Sequence, residues 1–327
     1  MKRIHPTPRL LLSVIILFAA AAAFGQSAGL PPAEAGAKAQ LEGSPRHGEW
    51  VTVDASGDKV DAFVVYPERS DRAPVVIVIH EIFGLSDWVR SVADQLAADG
   101  FIAVAPDLIS GKAPGGKGSR AVSADEARVL IAALDPAEVT RRINAVAKYA
   151  TSLPAALPRF ASVGFCWGGG VSFSYATQQP GLGAAVVYYG TSPATETLSR
   201  VTAPVLGLYG GNDARVGATV PPAAQEMKRL GKSFEYVMYE GAGHGFARAQ
   251  DGQSGANLKA IQQAWPRMVG FLKSHLESGV SLWGADEPVK AMLTSAGTGS
   301  SLECVCDDDD HPGSSAALFH DSSLHLD

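Results

Sequence analysis

Residues 161–170 have the sequence ASVGFCWGGG, and this stretch decides which fold the chain is expected to adopt. The apolar run at 160–165 predicts a short buried strand. Gly164, Cys166 and Gly168 then occupy alternate positions, and the residues after them can begin a helix. A strand that turns sharply into a helix needs glycine wherever a Cβ would collide with its neighbours. The sequence therefore predicts a tight strand-to-helix turn with Cys166 at its apex.

The Gly-x-Cys-x-Gly pattern resembles the nucleophile elbow of the α/β-hydrolase fold, with cysteine in place of serine. Unpaired amides and the helix dipole at a helix N-terminus favour an anion. We therefore expect this position to favour the thiolate, which is the reactive form of cysteine. A small buried cysteine beside a tight turn would give the same pattern, so the rest of the chain must separate the two interpretations.

Composition limits the classes of protein. With 327 residues, 46% of them hydrophobic, the chain is long enough for one large α/β domain. Its formal charge of −6 argues against a nucleic acid or an anionic membrane as partner. The expected partner is a small molecule.

The N-terminal residues 1–25 have the features of a cleavable signal peptide. Lys2, Arg3 and Arg9 precede an apolar run, and small residues near position 25 fit a cleavage site. The run is too short to favour a permanent membrane span. We expect a periplasmic or secreted protein with no stable membrane anchor after signal removal.

Two further segments lack a hydrophobic period. Residues 26–48 are rich in Ala, Pro and Gly and predict a flexible linker. Residues 279–327 contain Gly, Ser and a run of four Asp, and predict a disordered tail. Residues 49–278 are left as the folded domain.

The chain contains three cysteines, so at least one is free or pairs with another molecule. Cys304 and Cys306 lie in the predicted tail, and their pairing is left open. Cys166 is the expected free thiol, and a free thiol in an exported protein favours a catalytic role.

Strands and helices alternate along the domain. Strands are predicted at 50–53, 60–66, 75–79, 101–107, 160–165, 184–189, 204–209 and 234–239. Helices are predicted at 86–99, 124–134, 136–151, 222–230 and 257–277, with another directly after the elbow. The pattern predicts an α/β fold of the α/β-hydrolase type, a doubly wound and mostly parallel sheet with helices on both faces.

An acid and a histidine follow Cys166 in the order that this fold requires. Asp213 comes after the strand predicted at 204–209, and His244 after the strand at 234–239. His244 is predicted to take the thiol proton, and Asp213 to orient the imidazole. The backbone amides of Trp167 and Ile82 are the predicted oxyanion hole.

No motif for a metal or a cofactor is recognised. His80 and Glu81 begin like the zinc motif HExxH, but Gly84 stands where the second histidine is required. The glycine-rich loop at 111–118 does not match a phosphate-binding loop. Neither a metal nor a cofactor is predicted.

Three segments together resemble the dienelactone hydrolase (carboxymethylenebutenolidase) family: VIHEIFGL at 78–85, GFCWGG at 164–169 and HGFAR at 244–248. The resemblance extends over about residues 60–276. It implies hydrolysis of an ester or lactone through a thioester on Cys166. It also implies that Glu81 contacts the cysteine and takes its proton when substrate arrives.

The resemblance also suggests how substrate is bound. Arginines hold a substrate carboxylate in this family, and Arg248 matches one of them by position. Arg120 and Arg128 both lie in the region of the second, which has no clear counterpart. Tyr189 is expected to line the pocket. The expected substrate is a small ester or lactone. Both a substrate with a carboxylate and one without remain open.

Two alternatives stay open. One is a peptidase of the prolyl-oligopeptidase kind, against which stand the absence of a propeller-like repeat and the cysteine nucleophile. The other is a binding protein that keeps the hydrolase fold without activity.

Overall fold

The computed structural model describes residues 29–277, and it confirms the eight strands predicted from the sequence. The strands are β1 (Gly48–Ala55), β2 (Asp58–Val65), β3 (Ala73–Ile79), β4 (Ile102–Pro106), β5 (Ala156–Phe165), β6 (Ala184–Tyr188), β7 (Val205–Gly210) and β8 (Phe234–Tyr239). The α-helices within this range are α1 (Ala37–Gly43), α2 (Asp87–Ala98), α3 (Ala124–Ala132), α4 (Pro136–Ser152), α5 (Trp167–Ala176), α6 (Ala214–Gly217), α7 (Val220–Arg229) and α8 (Ala256–Leu276).

The strands form one sheet in the order β1-β2-β4-β3-β5-β6-β7-β8. The strand β2 runs antiparallel to both of its neighbours, and every pairing from β4 to β8 is parallel. This mostly parallel sheet agrees with the predicted fold class. Because parallel strands end at the same edge, the loops after β3, β5, β6, β7 and β8 meet along one side of the sheet.

Apolar side chains on both faces of the sheet bury the central strands. In β3, Val76 and Val78 belong to the core cluster that includes α2 and α8 on one face, while Val75, Ile77 and Ile79 belong to the cluster that includes α4, α5 and α7 on the other. All seven residues of β3 are buried. Such a strand is stable only between two layers of helices, which explains the continuous apolar runs in the sequence.

The turn between β5 and α5 is as tight as the glycines predict. A Cβ on Gly164 would lie 1.8 Å from the carbonyl oxygen of Gly168, and a Cβ on Gly168 would lie 2.4 Å from that of Ile79. Cys166 sits between them at φ 56° and ψ −117°, a conformation that side-chain-bearing residues rarely adopt. Its amide donates to the carbonyl of Tyr188 at 3.0 Å, which fixes the turn to the end of β6.

The prediction of a flexible linker is wrong for the described residues 29–48. A 3₁₀ turn at Glu34–Gly36 leads into α1, and the buried Asp94 of α2 accepts hydrogen bonds from Gln40, Ser44 and Arg46. The bidentate bonds from Arg46 measure 2.9 and 2.7 Å. These polar contacts have no sequence period, so the composition of the segment gave no sign of them.

The predicted signal peptide at 1–25 and the predicted tail at 279–327 lie outside the described residues. Among residues 29–277, every helix is too short or too polar to cross a lipid bilayer.

The glycine contacts at the elbow predict a severe effect of Gly164→Ala. The new methyl group would overlap the backbone of α5, so we expect a loss of more than about 3 kcal/mol in the free energy of unfolding. Gly270→Ala is the matched control because no atom lies within 4 Å of its added Cβ. It should stabilise α8 by up to about 1 kcal/mol. Urea denaturation of both variants measures the difference, and equal stability of the two would contradict the steric account.

Candidate active site

The structure brings the three predicted triad residues together. The Sγ atom of Cys166 lies 3.1 Å from Nε2 of His244, and Nδ1 of His244 lies 2.5 Å from Oδ2 of Asp213. The other carboxylate oxygen of Asp213 accepts from the amide of Val216 and caps α6. Asp213 is buried while His244 reaches the surface of the cavity, so the carboxylate is held from below and the imidazole faces outward.

Backbone contacts between two loops place the acid beside the histidine. The amide of Asn212 donates to the carbonyl of Ala242 at 2.9 Å, and its side chain donates to the carbonyl of Gly241 at 3.0 Å. Gly210 allows this approach, since a Cβ there would lie 2.6 Å from the oxygen of Ala242. Gly210 is therefore required by the close packing of the two loops.

The amides of Trp167 and Ile82, predicted to form an oxyanion hole, both face the sulfur of Cys166 and act to lower its pKa. Burial and the negative charge of Glu81 outweigh them and raise the pKa of the thiol above its ordinary value. This is opposite to the direction expected from the helix N-terminus alone. The resting site favours the neutral thiol.

The side chain of His80 contacts backbone groups within the fold. Its Nδ1 lies 2.7 Å from the carbonyl of Glu81, and its Nε2 accepts from the amide of Leu108 at 3.2 Å. The ring is fully buried, stacks on Trp167, and has its pKa lowered by burial. A neutral His80 that positions the loop after β3 explains why this residue precedes Glu81.

Glu81 is buried and forms an ion pair with Arg248, whose Nε lies 2.8 Å from its Oε2. Burial raises the pKa of Glu81 to about 7, against the opposing effect of Arg248. Tyr189, predicted to line the pocket, does so at the end of β6, where its ring packs against His244. Glu81 therefore changes charge near neutral pH, close enough to Cys166 to affect its pKa.

A cavity of about 640 Å³ opens above Cys166. Apolar side chains line part of it, including Leu134, Val139, Trp167 and Val171. Polar groups also line it, namely Glu81, Tyr189, Arg215, His244 and Arg248. Cavities of this size and character hold small organic molecules. Within residues 29–277, no group of three or more His, Cys, Asp and Glu side chains could hold a metal ion.

The two candidates for a second substrate-binding arginine do not line this cavity. Arg120 lies over the ring of Trp50 at 4.0 Å, and Arg128 is exposed beside Asp125. Arg215 lines it instead and acts to lower the pKa of Cys166. Arg215 was not predicted from the sequence, although it lies two residues after Asp213 and therefore at the same edge of the sheet.

Glu34 is the second residue that sequence analysis missed. Its carboxylate pairs with Nη1 of Arg248, the guanidinium predicted to bind substrate. Arg248 also stacks on Phe83, with 4.9 Å between the guanidinium carbon and the ring centroid. No sequence signal points to Glu34, because it lies in the Ala- and Pro-rich segment before β1.

The strand order, the tight elbow after β5 and the positions of Cys166, Asp213 and His244 define an α/β-hydrolase. The model of the dienelactone hydrolase family matches residues 60–276, and the chain belongs to this family of hydrolases. A Salmonella typhimurium protein named "Putative carboxymethylenebutenolidase" is 32% identical over 236 residues, which is 68% of this chain and 86% of that protein.

Solved structures agree with this assignment. A Klebsiella pneumoniae protein named "Putative Dienelactone Hydrolase" is 27% identical, with a TM-score of 0.62, over 71% of this chain and 99% of that chain. The acylaminoacyl peptidase of Pyrococcus horikoshii is 16% identical, with a TM-score of 0.57, over 77% of this chain and 45% of that chain. The peptidase shares only the fold.

The raised pKa of Glu81 predicts how stability depends on pH. The folded protein holds the Glu81 proton up to about pH 7, whereas an unperturbed glutamate releases it near 4.5. The contribution of Glu81 to the free energy of unfolding is therefore largest below pH 4.5 and falls as the pH rises towards 7.

Glu81→Gln removes this dependence. The free energy of unfolding of the variant, relative to wild type, should rise by up to about 3 kcal/mol between pH 4.5 and pH 8. Urea denaturation across this range measures the slope, so a constant offset from weaker pairing with Arg248 does not interfere. Glu235→Gln, on the exposed side of β8, is the control for loss of a carboxylate. A difference that stays constant or falls with pH would contradict the assignment.

Proposed function

We propose that the protein hydrolyses carboxylic esters or lactones, with Cys166 as the nucleophile and a thioester as the intermediate. The observation that carries this proposal is the chain of contacts from Cys166 through His244 to Asp213 beneath the cavity. Membership in the dienelactone hydrolase family and the name of the Salmonella typhimurium relative support ester or lactone chemistry.

In the first step His244 accepts the thiol proton at Nε2, and the sulfur attacks the acyl carbon. Asp213 accepts the Nδ1–H hydrogen bond and stabilises the imidazolium that forms. Nε2 then returns the proton to the leaving alkoxide, which departs as the alcohol. Water then attacks the thioester while Nε2 takes a proton from it, the carboxylic acid departs, and Nε2 returns the proton to the Cys166 sulfur.

The amides of Trp167 and Ile82 stabilise the oxyanion in both steps. They already face the sulfur, so the carbonyl oxygen of an acyl group bound there lies within their reach. Donors fixed by the backbone need no rearrangement when the charge appears, which is why such a site lowers the barrier. Because these are main-chain groups, substitution of Trp167 or Ile82 tests packing rather than the oxyanion hole.

Glu81 is proposed as the alternative acceptor of this one thiol proton, in place of His244. Its pKa of about 7 makes it basic enough to take a proton at neutral pH, and its charge disfavours the thiolate in the resting site. Protonation of Glu81 removes that negative charge as the thiolate forms. Binding of substrate would then activate Cys166, which keeps a free thiol less reactive in the absence of substrate.

The apolar side chains that line the cavity indicate what kind of substrate it holds. Trp167 and Val171 are among them. We propose a small ester or lactone with an apolar portion. The peptidase alternative rests on the fold alone, since the peptidase neighbour is 16% identical and is covered over 45% of its length.

Substitution of the nucleophile separates catalysis from mere binding. Cys166→Ala should lower kcat/KM on a panel of aryl esters and a dienelactone by about 10³-fold or more, because no thioester can form. The double variant Cys304→Ala/Cys306→Ala keeps the proposed machinery and is the control. Iodoacetamide should inactivate this control variant and wild type at the same rate.

The same panel tests the alternatives. Turnover of esters by Cys166→Ala at the wild-type rate would contradict a cysteine mechanism. Turnover of acyl-peptides at a higher kcat/KM than esters would favour the peptidase. A Cys166 no more reactive than free cysteine with ligand present, together with no turnover, would favour a binding protein.

We also propose export, with cleavage of the signal near residue 25. Mass spectrometry of the protein from a bacterial periplasm should give an N-terminus close to Gln26. The double variant Leu12→Arg/Ile15→Arg, which interrupts the apolar run, should remain in the cytoplasm as the uncleaved precursor. An uncleaved wild-type chain in the cytoplasm would refute export.

A further inference from the structure

Arg248, which the resemblance predicts to bind a substrate carboxylate, already pairs with a carboxylate of this chain, that of Glu34. Residue 34 contacts residue 248 twice, since the Glu34 carboxylate pairs with the Arg248 guanidinium and the Glu34 amide donates to the Arg248 carbonyl at 3.0 Å. The amide contact positions the carboxylate at its partner. Glu34 thus takes the place that a carboxylate on a substrate would need.

The guanidinium of Arg248 is shared by two carboxylates. Its Nε lies 2.8 Å from Oε2 of Glu81, its Nη1 pairs with the carboxylate of Glu34, and its guanidinium carbon lies 4.9 Å from the ring centroid of Phe83. When both glutamates are ionised, two negative charges share one positive charge. An anionic group brought to this point would add a third negative charge next to a buried carboxylate, which is electrostatically unfavourable.

The segment that carries Glu34 is held against the domain by contacts on both sides of it. Before Glu34, the carbonyl of Pro32 accepts from Nε1 of Trp88 at 3.1 Å, and that of Pro31 accepts from Gln250 at 2.8 Å. After Glu34, the hydrogen bonds to Asp94 fix the end of α1. The backbone at Glu34 is therefore anchored independently of its side chain.

The Glu34–Arg248 pair lies at the border of two cavities. Arg248 and Phe83 line the 640 Å³ cavity above Cys166, and with Glu34 they also line a neighbouring cavity of about 470 Å³. Arg120 lines the second cavity as well. The pair thus controls the charge at one end of the proposed substrate site.

We propose that Glu34 is a specificity-determining residue that neutralises Arg248 and makes the pocket select uncharged esters over esters with a free carboxylate. The inference rests on the proposed ester hydrolysis and narrows its substrate class. Glu34 acts through Arg248, and it does not itself line the cavity above Cys166. Removal of its charge should make the Arg248 guanidinium available to bind an anionic substrate.

Two esters with the same acyl length test this directly. They are 4-nitrophenyl butyrate, which is neutral, and the 4-nitrophenyl monoester of succinic acid, which carries a terminal carboxylate. The ratio of kcat/KM for the charged ester to that for the neutral ester is measured at pH 8, above the pKa of about 7 for Glu81. Glu34→Gln should raise this ratio about tenfold, as expected for a charge-assisted contact made available to substrate.

Glu42→Gln is the matched control. Glu42 lies in the same segment, on α1, and is exposed beside Lys38 at 3.8 Å. Its substitution changes the net charge equally and should leave the ratio at the wild-type value. If Glu34→Gln gave the same ratio as wild type and Glu42→Gln, the inference would be overturned. Thermal unfolding confirms that each variant is folded, and Glu34→Ser replaces Glu34→Gln if that variant is not.

The experiment distinguishes this inference from the proposed function. If wild type hydrolysed neither ester, the proposed function would fail, and the charge preference would be measured by binding instead. Calorimetry with succinate on wild type and Glu34→Gln should then give at least about tenfold tighter binding to the variant. Equal affinity would overturn the inference on its own.

Discussion

The close approach of Gly164 to Gly168 is the constraint on which the rest of the site depends. A Cβ at Gly164 would lie 1.8 Å from a backbone oxygen of α5, so β5 and its helix can meet at this angle only through glycine. This close approach of β5 and α5 forces Cys166 to φ 56° and places its sulfur above the carboxyl edge of the sheet. Parallel neighbours that end at that edge then bring Ile82, Asp213 and His244 to it.

Burial, rather than the helix dipole, decides whether the thiol of Cys166 is protonated in the resting protein. A helix N-terminus stabilises an anion by about 0.3–1 kcal/mol, whereas desolvation of a buried charge costs several kcal/mol. The raised pKa of Cys166 follows this ranking, and the charge of Glu81 acts in the same direction. Placement at an elbow therefore does not by itself produce a thiolate.

Features carried by a periodic pattern or a local motif were predictable, and features that depend on single tertiary contacts were not. The apolar runs gave every strand, and the rule that parallel strands end at one edge then placed Asp213 and His244 beside Cys166. Residues 29–47 could not be predicted, because single polar contacts to Asp94 and Trp88 hold them. The ionisation of Cys166 could not be predicted either, since it depends on burial and on charges from distant parts of the chain.

The N-terminal segment is connected to the nucleophile by a chain of electrostatic contacts. Burial raises the pKa of Glu81, Arg248 opposes this rise, and Glu34 strengthens it. Glu81 in turn raises the pKa of Cys166. Because charges in a partly buried site are weakly screened, a carboxylate on Glu34 influences the protonation of Glu81 and, through it, that of the thiol. A segment whose composition suggested a linker is therefore part of the electrostatic environment that sets the reactivity of Cys166.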